Sequence, residues 1–487
     1  MTAEAPSHEV IPVRTERRTR RYDKERGCYV YDISFTTRVP LTDRTAEVAR
    51  AFGLGVDGRE HVLYRDFELR LAEGDVAYVT GDSGSGKSAL LRALREDLGD
   101  EAADIDELEI DEDRPIVDTV GGSFSEALSL LSRVGLNDAF LFLRRYKELS
   151  DGQRYRYRIA RMIDEGKPFW LADEFCSTLD RVTARIVAFN IQKLARRSGA
   201  TLVVATTHTD LEDDLAPSIC VRKGWGEEIE VEYRRGVEVQ ACTVVDGIQI
   251  REGTRDDYRR LAYIHYRDGG FPVLRRIYAM ERMGEVIGVI VYSYPPVRVA
   301  GRRRAVGYSP DMDELNASWA VISRVIVHPK FRTIGLGCRL IRETLPLQGC
   351  DHVELVAVMA RYNPFAERGG MRLVQVSEPH KSVVKAIDAL HGLGFSPVLM
   401  ASEGYNRGVL EGLGGLGVVR EVLLSVGSVY FKRLSRMGKA YVRKAEFGEW
   451  LGVQGVGSLA RVLSVLCTLN QSKAYLYWCR ANAAGLG

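Results

Sequence analysis

Gly81-Asp82-Ser83-Gly84-Ser85-Gly86-Lys87-Ser88 reads G-x-x-x-x-G-K-[ST], the pattern of a phosphate-binding loop. Its glycines let successive backbone N–H groups turn inward as an anion nest, and the next helix adds the positive end of its dipole. Lys87 would sit on the β- and γ-phosphates, and Ser88 would offer its hydroxyl to Mg²⁺. The flanks fit. Asp75-Val-Ala-Tyr-Val-Thr80 is a short apolar run, as a buried strand would be, and Ala89-Leu-Leu-Arg-Ala-Leu94 starts a helix.

The chain of 487 residues is too long for one ordinary domain, and about three is the expectation. Its composition is globular, 45% hydrophobic and 28% charged, and the net charge of +2 sets up no field that announces a nucleic-acid partner. No apolar run reaches the length of about 18 residues that a membrane span needs, so no membrane partner is expected. The first residues, Met-Thr-Ala-Glu-Ala-Pro, lack the apolar core of a signal peptide. The eight cysteines are scattered with no C-x-x-C, which fits a reducing cytoplasm.

Residues 1–25 are polar and Arg-rich, expected as a poorly ordered tail or a basic arm touching phosphate. Alternating runs from Tyr29 and from His61 to Leu71 predict strands, and the acidic segment Glu96 to Asp113 predicts a surface loop. Leu149-Ser150-Asp151-Gly152-Gln153 follows, then the apolar run Lys167 to Ala172 ending in Asp173-Glu174. Next come Ser177-Thr-Leu-Asp180 and a strand from Thr201 that ends at His208.

These motifs, in this order, resemble the ABC-type ATPases: phosphate loop, L-S-G-G-Q signature, Asp-Glu strand end, D-loop and switch histidine. The resemblance covers about residues 25–240, within a domain expected over 26–245. It implies that Asp173 and Ser88 hold Mg²⁺, that Glu174 polarises the attacking water and that His208 senses the γ-phosphate of ATP. It also implies an ATP-dependent homodimer, in which Ser150 and Gly152, with Gln153 beside them, meet the ATP of the other copy. Three features depart from the family. Asp151 replaces the first signature glycine, the phosphate loop and signature are close together, and Asp118 falls where a glutamine is usual. The short spacing and lack of a membrane span favour the soluble branch over a transporter subunit, which stays as an alternative.

In the second half, Met283-Gly284 separates two apolar runs and predicts a hairpin. Ser318 to Val327 reads as a strand running into His328-Pro-Lys-Phe-Arg332-Thr-Ile-Gly335-Leu-Gly337 and a helix, a second anion cradle. With the next strand at Val353 to Val358, this resembles the GNAT acetyltransferases over residues 250–400, an α+β domain expected to span 246–400. The resemblance implies acetyl-CoA held by Ile326, Val327, Arg332, Thr333, Ile334, Gly335, Leu336 and Gly337. The family's acidic Tyr position is filled by Phe365 or Ala366, so Tyr362 is the substitute candidate, with His265, Glu354 and Glu367 as candidate bases. His265-Tyr266, Pro295-Pro296, Ser323-Arg324 and Val327-His328-Pro329 are loosely similar to phage Mom-type nucleobase acyltransferases. Residues 401–487 read as a mainly helical basic region, with Lys432, Arg433, Arg436, Lys439, Arg443 and Lys444 clustered.

The expectation is therefore a cytoplasmic α/β P-loop ATPase joined to a GNAT-like N-acyltransferase that acts on nucleic acid or a nucleic-acid-associated substrate. The alternative is a clamp whose second domain binds CoA as a sensor without catalysis.

Overall fold

The computed structural model describes residues 14–37, 40–55, 59–136, 138–237, 240–264, 273–358, 363–439 and 441–483. Tyr362 and His265 lie outside them. The chain divides into two compact units. The first is Met1–Gly269, Tyr278–Val289 and Ile326–Gly337; the second is Gly270–Ile277, Ile290–Val325 and Cys338–Gly487.

In the first unit, β1 (Arg14–Asp23), β2 (Cys28–Thr37) and β3 (Arg59–Leu69) form an antiparallel sheet in that order. Residues 14–23, expected in a poorly ordered tail, are therefore a strand. The reason lies in partners distant in sequence. β1 pairs with β2 along its whole length. Arg18 reaches Glu96 at 2.7 Å and Arg20 reaches Asp97 at 3.0 Å, both on the helix Lys87–Leu98. Two arginines of the basic arm, Arg18 and Arg20, thus find carboxylates inside their own unit.

The second sheet has the order β5-β6-β7-β4-β8-β9. It is built from β4 (Val76–Gly81), β5 (Ala102–Asp104), β6 (Phe169–Ala172), β7 (Thr201–Thr206), β8 (Ile219–Lys223) and β9 (Ile229–Tyr233). All neighbours pair parallel except β8 with β9. Both faces of β4 are buried: Val76 and Tyr78 join one apolar cluster, Ala77 and Val79 the other. That explains its unbroken apolar run. β5 arises inside the acidic segment expected as a surface loop, because Ala102, Ala103 and Ile105 are buried there.

A third sheet runs β10-β11-β12-β13-β14-β16-β15. Its strands are β10 (Ile248–Glu252), β11 (Leu274–Arg282), β12 (Glu285–Ser293), β13 (Trp319–Val327), β14 (His352–Ala357), β15 (Arg372–Ser377) and β16 (Lys473–Cys479). Met283 and Gly284 take φ of 51° and 82°, as the two-residue turn of a twisted hairpin requires. In the second unit, β16 pairs antiparallel with both β14 and β15. Residues 401–487 thus supply a sheet strand as well as helices, which pack around a core that includes Phe395, Leu410, Phe447 and Leu463. Among the described residues no helix is long and apolar enough to cross a membrane.

Candidate functional site

The phosphate loop leaves the carboxyl end of β4, which has β7 on one side and β8 on the other. Ligands of open parallel sheets bind at this edge. Gly81 takes φ of 149°, and a Cβ there would lie 2.1 Å from the Lys223 carbonyl oxygen, so only glycine fits. Lys87 is buried and its Nζ donates to the Gly81 and Asp82 carbonyls at 2.8 and 2.7 Å. Burial pulls its pKa down, while Asp173 and Asp82 oppose that. The Ser85 hydroxyl is buried in the loop with no hydrogen-bond partner among the described residues. An orphaned donor beside a buried ammonium is the chemistry a polyphosphate would satisfy.

The strand order places the other candidates along the same edge. Asp173-Glu174 follows β6 and His208 follows β7, and β6, β7 and β4 are consecutive neighbours. Asp173 Oδ1 accepts from the Glu174 N–H at 2.8 Å. Glu174 is exposed and takes a φ of 44°, rare for a residue with a side chain and frequent at functional sites. The Phe175 N–H to the Ala205 carbonyl, 2.8 Å, pins this turn to β7. The His208 carbonyl accepts from the Tyr78 hydroxyl. The charges and donors suit ATP with Mg²⁺: one buried cation, one carboxylate felt by it, and an exposed second acid. Trp225, not singled out from the sequence, lies 3.7 Å from where a Gly84 Cβ would be. Its signal was only an aromatic beside Gly224 and Gly226.

Ser150, Gly152 and Gln153 stand at the start of the helix Asp151–Asp164 and do not join the phosphate loop of their own chain. They line a separate cavity of 340 Å³. The Asp151 side chain, which replaces a signature glycine, is 85% exposed and lies 3.7 Å from Arg154 Nη1. Asp180 caps the helix Arg181–Ser198 and pairs with Lys330 Nζ at 2.7 Å. Burial works to raise the Asp180 carboxyl, but hydrogen bonds from Lys330 and Thr183 outweigh it and hold it below the usual range.

The stretch expected to hold acetyl-CoA begins at buried Ile326 and at Val327, whose carbonyl accepts from Arg332 Nε at 3.0 Å. Thr333 takes a φ of 76° and accepts from Asn190 Nδ2 at 2.6 Å. Ile334 and Gly337 are half-buried, and Leu336 is buried at the start of the helix Leu336–Thr344. Gly335, φ 87°, has open space where a Cβ would point. Arg332 lines the same cavity as Ser150, Gly152 and Gln153.

Of the candidate bases, Glu354 is fully buried and bound by Arg302 at 2.7 and 3.1 Å and by the Tyr475 hydroxyl at 3.0 Å. Its carboxylate thus accepts from three donors of its own unit. Glu367 is exposed, Ala366 is buried and Phe365 is half-buried. In the C-terminal basic cluster, Lys439 pairs with Glu446 at 2.7 Å. Lys432, Arg433, Arg436, Arg443 and Lys444 are exposed.

These features define a P-loop nucleotide-binding protein. No protein-family model matches the chain. The cytochrome c biogenesis ATP-binding export protein CcmA of Rhizobium meliloti is 32% identical over 192 residues, 33% of this chain and 91% of the relative. The aliphatic sulfonates import ATP-binding protein SsuB 2 of Nocardia farcinica is 29% identical, covering 37% of this chain and 78% of that protein. Among solved structures, the dimeric post-hydrolysis state of the ATP-binding cassette MJ0796 bound to ADP and Pi matches with a TM-score of 0.31. It is 20% identical, over 37% of this chain and 93% of that one. Through its first third, the chain belongs to the ABC-type ATPases.

Proposed function

We propose that the chain is an ATP-driven switch that works as a homodimer and controls a GNAT-like acyltransferase domain. What carries the reading is the row of phosphate loop, Asp173-Glu174 and His208 on three adjacent strand ends. Bound Mg²⁺, held by Ser88 and Asp173, would supply charge neutralisation at the β- and γ-phosphates. Lys87 exchanges its two carbonyl partners for phosphate oxygens. Glu174 orients the water that attacks the γ-phosphorus and takes its proton as the bond from that phosphorus to ADP breaks. His208 donates to the γ-phosphate. In the second domain, Arg332 and the open backbone at Gly335 support binding of a CoA diphosphate. Acetyl-CoA as donor, Tyr362 as acid and a nucleic-acid acceptor complete the reading, in a cytoplasmic protein. The exposed arginines and lysines at 432–444 support the acceptor.

A second reading, a CoA sensor without transfer, is favoured by one observation. Glu354, a candidate base, is consumed by Arg302 and Tyr475.

Lys87→Ala is expected to abolish ATP binding. Glu174→Gln is expected to keep binding, to accumulate an ATP-bound dimer in sedimentation, and to lose 10²-fold or more in hydrolysis, about the contribution of a general base. Normal hydrolysis by the Gln variant overturns the role of Glu174. For the second domain, labelled acetyl-CoA is incubated with the full chain, ATP and DNA or RNA, and nucleosides are analysed by mass spectrometry. CoA binding without label transfer selects the sensor.

A further inference from the structure

We propose that the helix Arg181–Ser198 couples the ATP site to residues 328–335, so that ATP and CoA each change the affinity for the other. CoA as the second ligand rests on the reading above; the helix supplies the regulation of that site. The residues that make the link all belong to the first unit. One face of the helix holds the segment that carries His208. Arg181 Nε donates to Asp210 Oδ2 at 3.0 Å, its Nη2 donates to Oδ1 of the same carboxylate, and Arg185 Nη2 donates to Oδ2 at 3.4 Å. Arg196 donates to the Ala216 carbonyl from the same stripe of the helix, because residues 181, 185 and 196 fall within about 60° at 3.6 residues per turn. Asp210 stands two residues after His208, so a shift of the histidine toward a γ-phosphate is carried to Arg181.

The opposite face holds the segment after β13. Asn190 follows Arg181 by nine residues, about 2.5 turns, which turns it away from Asp210. Its Nδ2 donates to Thr333 Oγ1 at 2.6 Å, and the helix-capping Asp180 takes Lys330 Nζ at 2.7 Å. The turn Pro329–Phe331, with Phe331 buried, packs against the same helix. Ten of the 18 helix residues are buried, and a helix packed this way shifts as one body, by about 1–2 Å. A displacement that starts at Asp210 therefore reaches Lys330 and Thr333 together. Thr333 supplies the two states that coupling needs. Its φ of 76° is a strained backbone for a branched residue, and the bond from Asn190 helps to hold it. Loosening that bond lets Thr333 relax and moves the neighbouring backbone at Gly335, where a CoA diphosphate would approach.

Hydrogen exchange of the backbone at residues 326–337 tests the link without any CoA. It is measured by mass spectrometry on the Glu174→Gln chain with and without ATP and Mg²⁺, and binding of a fluorescent ATP analogue confirms loading. ATP is expected to change exchange rates there at least fivefold, the lower end of typical coupling. Adding Asn190→Ala or Lys330→Gln is expected to bring the change within twofold, with analogue binding unaltered. The Lys330 side chain is 35% exposed, so Lys330→Gln is expected to fold normally, which a thermal melt checks. Lys330→Arg keeps the pair with Asp180 and is expected to restore the change. Exchange that ATP leaves within twofold, or a full change that survives both substitutions together, overturns the proposal. In a second arm CoA is titrated calorimetrically into the same chains. Its affinity is expected to differ at least fivefold between the ATP-loaded and empty forms, and by less than twofold once the two holds are removed. A CoA affinity that ATP leaves within twofold also overturns the coupling. If CoA binds in neither form, the CoA reading fails by itself and the exchange arm decides the coupling.

Discussion

Replacing Glu354 by Gln tests whether the second unit is pinned by a buried ion pair. The Glu354 side chain is fully buried, and Arg302, 5% exposed, reaches it through two nitrogens at 2.7 and 3.1 Å. Tyr475 donates to the same carboxylate at 3.0 Å, and the guanidinium lies 5.3 Å over the Trp319 ring. Arg302 Nη2 also donates to the Pro296 carbonyl at 2.8 Å, and Nη1 donates to the Val297 carbonyl at 2.9 Å. Glutamine keeps the shape and can still accept from Tyr475, but it leaves a buried guanidinium without its counter-charge. Breaking such a pair from one side costs about 3–5 kcal/mol. Arg302→Met costs at least as much, because two carbonyls also lose donors at about 1–3 kcal/mol each. The double variant loses both charges together, so the cycle is expected to return an interaction energy of about 2–3 kcal/mol. Urea unfolding of the full chain, followed by tryptophan emission and near-ultraviolet circular dichroism, measures all four forms. An unchanged midpoint for Glu354→Gln refutes the pin. Should that variant also lose acyl transfer at full stability, Glu354 is a base after all.

Gly81→Ala places a methyl 2.1 Å from the Lys223 carbonyl, in a backbone contact between β4 and β8 that cannot yield cheaply. It is expected to lower the melting temperature by several degrees and weaken ATP binding tenfold or more. Normal binding by calorimetry means that the loop adopts another backbone when loaded. For acid stability, Asp257 is the group to watch. Hydrogen bonds from Arg251 and, against the cost of burial, from Thr254 lower its pKa from 3.8 to about 2. The carboxylate therefore stabilises the first unit fully above pH 3.8, and that contribution fades as pH falls toward 2. It is expected to be worth about 2 kcal/mol, and Asp257→Asn to flatten the pH dependence of urea unfolding between pH 4 and 2.

The ATP site was legible because its chemistry is local. An eight-residue loop, an apolar strand before it and acids at the next strand end each occupy one short window. The three parallel strands that carry them are buried on both faces, and their unbroken apolar runs show it. What was not legible depends on partners far along the chain. Arg17, Arg18, Arg20 and Arg21 look like a solvated arm until Glu96 and Asp97 are placed beside Arg18 and Arg20. Ala474 to Trp478 follows a helical stretch, and nothing nearby says that it returns to sit between β14 and β15. Arg302 in a basic run, and Glu354 in a strand, look like a surface cation and a candidate base. Only their contact at 2.7 Å turns them into a buried pair.

Two residues that look unfavourable alone explain one another. Asn190 is only 8% exposed within the helix Arg181–Ser198, where a polar amide without partners would cost about 1–3 kcal/mol. Thr333 holds a left-handed backbone, φ 76°, which costs a branched residue about 1–2 kcal/mol. Neither fits its local pattern, and they stand 143 residues apart. The amide satisfies its need by donating to the Ile186 carbonyl at 2.8 Å and to the Thr333 hydroxyl at 2.6 Å. Relaxing Thr333 to an ordinary backbone would give up that second bond. The strain at Thr333 is thus held by a helix of the ATPase, and the same helix begins at the residue that pairs with Lys330. Both attachments fall on the segment that carries Arg332. The segment between β13 and its helix is therefore held at two points by the helix Arg181–Ser198 and its capping residue.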